Sequence, residues 1–140
     1  MPSLRIEPRK LSGRIFIQPS KSMAHRLILC ALLARGTSMI DNIVLSDDIR
    51  ATLGACEALG ASVRIEDSRC FSGRKRVVMT SSGEISAVRH EIDCYESGTT
   101  ARFIIPVSRL SADPVTLIGR GRLVKRPFDV YKNILPGKGV

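Results

Sequence analysis

Lys21, Ser22 and Arg26 stand on the opening turn and a half of a stretch that is otherwise apolar, Leu27-Ile28-Leu29-Cys30-Ala31-Leu32-Leu33-Ala34. On a helix, Lys21 neighbours His25 and Ser22 neighbours Arg26. A helix N-terminus carries unpaired N–H groups and a partial positive charge, so it draws anions. Two cations placed there oppose the helix dipole, and they make sense if an anion sits on top. Arg26 can grip a phosphate or carboxylate with two parallel hydrogen bonds, while Lys21 adds a compact charge and Ser22 a hydroxyl. His25 reads as a structural residue.

A second run, Glu96-Ser97-Gly98-Thr99-Thr100-Ala101-Arg102, repeats the device. Gly98 lets backbone approach a ligand closely, Thr99 supplies a hydroxyl, and Arg102 lies one helical turn on. A third run, Gly119-Arg120-Gly121-Arg122-Leu123-Val124-Lys125-Arg126-Pro127, reads as a flexible basic loop that can present Arg122 and Arg126 to a phosphate. The same Gly-Arg run fits a nucleic-acid patch over residues 119–126. The absence of interleaved aromatics for base stacking weakens that alternative. Asp47-Asp48 with Arg50 could form a carboxylate site, but the pair better serves a helix N-terminus and neighbouring cations. No Walker A run, Ser-His-Asp or Cys-His arrangement, or zinc spacing is present in the sequence.

These residues need strand-to-helix turns to hold them. Leu4 and Ile6 alternate as a short strand ending at Pro8, and residues 14–17 form another before Pro19. The order that follows is helix 21–34, strand 37–45 interrupted by Asp41-Asn42, helix 47–59, and strands 62–66 and 75–80. Gly36 and Gly60 stop the helices. A second round runs strand 91–94, helix 97–110 with Pro106 shortening it, strand 115–118 and helix 127–135. Pro127 suits that helix's first position and Pro136-Gly137 its stop. The two rounds share one pattern, βαβαββ, and the second lacks its last two strands. This α+β arrangement reads as one complete unit and one truncated unit of a longer chain.

The 140 residues carry 22 basic and 13 acidic side chains, a net charge of +9, which favours an anionic partner. Between Gly119 and Val140 six basic residues face the single acid Asp129. Cys30 and Cys56 fall in apolar helix patterns and read as buried, reduced thiols, which implies a reducing compartment. The charged N-terminus is unlike a signal peptide, and the longest apolar run has eight residues, too short to span a bilayer. The expectation is a cytoplasmic protein with no membrane contact.

Taken together, Pro19–Arg26, Ser46–Arg50, Glu96–Arg102 and Gly121–Pro127 resemble, in order and spacing, the 5-enolpyruvylshikimate-3-phosphate synthase family. Lys21-Ser22, rather than Lys-Asn, favours it over the related transferase acting on UDP-N-acetylglucosamine. The resemblance implies transfer of the enolpyruvyl group of phosphoenolpyruvate to the 5-hydroxyl of shikimate 3-phosphate, without a cofactor. It implies that Lys21, Ser22 and Arg26 bind shikimate 3-phosphate. It implies that Lys21, Gly98, Thr99, Arg102 and Arg122 bind phosphoenolpyruvate. It also implies that residues 1–17 are strands of an opposite domain and 18–140 a partial N-terminal substrate-binding domain. The family's later segments, with its catalytic groups, are absent from these residues, so the chain's partner is the remainder of the enzyme and no turnover is expected. Glu96 departs from the Asn of many family members and would repel phosphoenolpyruvate unless it turns away or pairs with a cation.

Overall fold

The computed structural model describes residues 3–15 and 17–135. Helix α1 spans Lys21–Leu33, capped by the Ser20 hydroxyl, which accepts from the Met23 N–H. Strand β1, Gly36–Ile43, follows, then α2, Asp47–Ala58, and the strands β2, Ser62–Asp67, and β3, Lys75–Ser81. The three strands form an antiparallel sheet with β3 in the middle. Along β3 the residues alternate. Val77 and Met79 are buried beneath α1 and α2 with Ile40, while Arg76 and Thr80 pair outward with Asp41 and Thr37. The expected interruption at Asp41-Asn42 is a bulge within one strand, where Asn42 takes a left-handed φ of 61°.

The second round opens with β4, Glu91–Asp93, which pairs in parallel with β5, Thr116–Ile118. Parallel strands need a crossover, and α3, Gly98–Ser108, supplies it. Pro106 lies inside α3, which ends two residues later. Pro106 has no N–H to offer the Arg102 carbonyl four residues back. Tyr131 donates its hydroxyl to that carbonyl instead, at 3.0 Å, tying on the last helix, α4, Asp129–Ile134. Ile28, Leu32, Ile49, Leu59, Ile92 and Ile104 are fully buried and join the two rounds in one core.

Four expectations are corrected. Residues 3–15 and 17–20 form no strand, and Leu4, Ile6, Ile15 and Ile17 are all more than four-fifths exposed. A short alternating run has no stable structure until it pairs with a sheet, and this one pairs with neither sheet among the described residues. Phe16, in the expected strand 14–17, and the Pro136-Gly137 stop lie outside the described residues. Cys30 is exposed, on the α1 face shared with Met23, Leu27 and Leu33. In a helix apolar all round, periodicity cannot choose the buried side. Pro127 precedes α4 rather than starting it: it holds Arg126 extended at ψ 141°, and the helix begins at Asp129. The basic loop is not loose either. It contains a 3-10 turn, Leu123–Lys125, whose Leu123 is buried.

Candidate functional site

The four motifs meet at the N-terminal ends of α1, α2 and α3. Ser20, Ser46 and Ser97 each cap one helix, accepting from the N–H three residues on. The Lys21 ammonium donates to the Asp48 carboxylate at 2.6 Å, which joins the first turns of α1 and α2. The Asp48 backbone carbonyl accepts from the Thr100 hydroxyl at 3.2 Å, which joins α2 to α3. Asp47 and Asp48 thus act as the first-turn acids of α2 and as a partner for a cation, as the sequence reading preferred.

The loops after β4 and β5 are neighbours because those strands are parallel and adjacent, so both loops leave from the same edge. Tyr95 adopts a left-handed φ of 50°, fixed by its N–H on the Asp93 carboxylate at 2.7 Å. Arg120 pairs with Asp93 and lies over the Tyr95 ring at 4.9 Å from its centre. Its own N–H donates to the Tyr95 carbonyl at 2.8 Å. Glu96 accepts the Arg122 N–H at 3.3 Å. Gly121, with a φ of 56°, lies so close that any Cβ there would overlap the Glu96 carboxylate. Glu96 is therefore engaged with the loop's backbone, and it makes no ion pair with a cation among the described residues.

The Arg126 guanidinium lies against Gly98, where a Cβ would overlap it. Arg126, a member of the basic loop, thereby joins the α3 turn, which spacing alone could not specify. Gly98 is buried and Thr99 exposed at this turn. Ser22, Arg26, Arg102 and Arg122 are exposed, and neither Arg26 nor Arg122 makes an ion pair among the described residues. These are cations held at a helix-rich end without a carboxylate to neutralise them.

A cleft of about 360 Å³ lies beside Lys21, lined by Gln18, Ser20, Asn42, Ser46 and Arg74. An open concavity of about 520 Å³ lies between α2 and the β4–α3 loop, lined by Asp47, Asp48, Arg50, Tyr95, Glu96 and Arg120. The most apolar cavity lies beneath α3 and β5, backs onto the 119–126 loop through Gly119, Leu123 and Val124, and contains no charged group. His25 is buried and bonded to Thr52, a structural residue as expected, and burial pushes its pKa down against the opposing charge of Asp48. Among the described residues no cluster of ligating side chains could hold a metal.

The family model described as EPSP synthase (3-phosphoshikimate 1-carboxyvinyltransferase) matches residues 6–139. The chain belongs to the EPSP synthase family. It is 41% identical over 142 residues to the 3-phosphoshikimate 1-carboxyvinyltransferase of Clostridium novyi, covering 100% of this chain and 33% of that relative. The Clostridioides difficile enzyme of the same name is 43% identical over 145 residues, with 100% and 33% covered. That of Clostridium perfringens strain SM101 is 42% identical over 134 residues, with 96% and 30% covered. The chain thus spans about a third of the length of the curated relatives it matches. The solved EPSP synthase from Acinetobacter baumannii superposes with a TM-score of 0.72 over 91% of this chain and 28% of that one. At 24% identity that likeness speaks for the fold, a mixed helix-and-strand architecture. No described helix is long and apolar enough to cross a membrane.

Proposed function

We propose that these residues form one wall of an enolpyruvyl transfer site, the part of the enzyme that holds both anionic substrates. The observation that carries the reading is the meeting of Lys21, Gly98 and the 119–126 loop at one end of three helices, linked through Asp48 and Arg126. Shikimate 3-phosphate binds at the α1 turn through Lys21, Ser22 and Arg26. Phosphoenolpyruvate binds at the α3 turn through Lys21, Gly98, Thr99, Arg102 and Arg122. Both substrates are multiply charged, and cations that neutralise them allow the 5-hydroxyl of one to approach the enol carbon of the other.

The wall binds and orients, and it does not turn over by itself. A proton must leave the attacking hydroxyl and another must reach the phosphoenolpyruvate methylene. Of the carboxylates and His at these turns among the described residues, only Asp47 is exposed and without an ion-pair or hydrogen-bond partner. Asp48 is bonded to Lys21, Glu96 to the Arg122 N–H, and His25 is buried. Residues 18–135 act as part of a substrate-binding domain, and the stretch up to Ile17 awaits an opposite domain.

The test is a titration of the isotope-labelled chain with shikimate 3-phosphate. Amide shifts at Lys21–Arg26, abolished in Arg26→Ala, support the reading, and an unchanged spectrum at millimolar ligand sinks it. Product formed from both substrates by the 140 residues alone contradicts the inactive-wall assignment. Tight nucleic-acid binding with the salt dependence of phosphate contacts would favour the alternative. The structure gives that alternative little to work with, since Arg120 and Arg126 fold back on Asp93 and Gly98.

A further inference from the structure

Among the described residues five polar side chains are essentially buried, His25, Thr52, Ser81, Ser97 and Thr100. Four of them form a single chain of contacts. His25 Nδ1 lies 2.7 Å from the Thr52 hydroxyl, Thr52 lies 2.7 Å from Thr100, and Thr100 lies 2.7 Å from the Ser97 hydroxyl. Each helix contributes: His25 from the second turn of α1, Thr52 from the middle of α2, and Thr100 with its cap Ser97 from the first turn of α3. The Asp48 carbonyl closes the network: it accepts from Thr100 at 3.2 Å and lies 3.1 Å from the Thr52 hydroxyl, whose single proton serves either this carbonyl or Thr100.

We infer that Thr52 and Thr100 are positioning residues that fix the α1 and α3 anion-binding turns relative to each other. This rests on the binding role proposed above. Helices packed only by apolar contacts can slide and rotate with little penalty, because the hydrophobic effect has no direction. Hydroxyl hydrogen bonds are directional, and burying one unmade is costly. A chain crossing all three helices therefore sets their register. Asp48 is held at both ends: its backbone is tied to α3 through Thr100, and its carboxylate to α1 through Lys21. Moving either turn pulls on the other through this one residue. His25 Nε2 has no partner among the described residues, where the ring is held to the network through Nδ1.

The test compares Thr52→Val, which keeps shape and removes the hydroxyl, with Thr52→Ser, which restores it. Val77→Ala is the control, a core truncation under the sheet. Without ligand, Thr52→Val shifts the amide resonances of Ser97–Ala101, across the helix interface, and Thr52→Ser returns them. With inorganic phosphate as the probe, Thr52→Val weakens binding at the Gly98–Thr99 amides about tenfold, while Thr52→Ser binds as the parent does. Val77→Ala lowers the melting temperature and leaves phosphate affinity in place. Unmoved Ser97–Ala101 resonances in Thr52→Val overturn the inference. So does an affinity loss that Val77→Ala reproduces. If the parent chain ignores phosphate, the binding role falls, and the ligand-free spectra still decide the positioning role. Thr100→Val makes the same comparison from α3 should Thr52→Val not fold.

Discussion

Lys21 Nζ and Asp48 Oδ2 lie 2.6 Å apart, and they join the first turns of two helices that are 27 residues apart in the chain. The Lys21 side chain is 55% exposed and Asp48 31%, so water screens the pair. Such pairs contribute little to stability. Asp48→Asn therefore changes the unfolding free energy by no more than about 1 kcal/mol, including its share of the α2 dipole. Urea denaturation measures this. A loss of several kcal/mol would mean the pair is held by desolvated, structural contacts and not poised to receive an anion.

Stability should depend on pH through His25. Burial lowers its folded pKa, Asp48 opposes and Lys21 adds to the lowering. The unfolded chain then binds the proton more readily than the folded one. The contribution is complete above the unfolded value of about 6.5 and is lost as pH falls toward the folded value. Melting temperature is expected to fall as pH drops below about 6.5, and His25→Gln to flatten that slope. Asp41, held down to about 2 by Ser68 and Arg76, acts lower still. Its contribution is present above its ordinary 3.8 and disappears as pH approaches 2.

The four thiols should separate into two classes. Burial pushes Cys56 up to about 12 and Cys94 to about 11, so neither forms thiolate near neutrality. Cys30 and Cys70 are exposed. With a thiol-reactive dye at pH 8, two equivalents react promptly and two only on unfolding. Cys30→Ser then removes one fast equivalent. A fast phase that survives unchanged would return Cys30 to the buried face of α1.

Tyr131 tests the repair of α3. Its hydroxyl takes the Arg102 carbonyl that Pro106 leaves unpaired. Tyr131→Phe should cost about 1 kcal/mol, less if water reaches the carbonyl. Pairing it with Pro106→Ala, which restores the N–H, should remove most of that cost. Additive losses in this double-mutant cycle would break the link between the two residues.

Local signals carried much of this fold. Ser20, Ser46 and Ser97 announce their helices because a cap is a contact within four residues. Asp41-Asn42 marks the bulge for the same reason. The N-terminal run misleads because a strand is defined by its partner, and Leu4 and Ile6 have none among the described residues. The site divides along the same line. Lys21 stands out as a cation in the first turn of an apolar helix, and Gly98 by its place at a strand-to-helix turn. Arg126 on Gly98, and the Thr52–Thr100 bond across 48 residues, depend on how helices pack, and a list of spacings does not contain that.

Gly98 separates stability from binding. It is the first residue of α3, and its backbone is not in the left-handed region, so alanine fits the local conformation. Alanine in a helix is favoured over glycine by up to about 1 kcal/mol. The added Cβ meets the Arg126 guanidinium, the end of a long flexible side chain that can swing away. Gly98→Ala should therefore melt at the parent temperature or slightly above. Its Arg126 will have left the α3 turn, and a methyl will stand where an anion approaches the helix N-terminus. Phosphate titration followed at the Thr99 amide should show binding weakened about tenfold or more. A variant that melts normally and binds phosphate like the parent would remove Gly98 from the site. One that melts far lower would show that the Arg126 contact is structural.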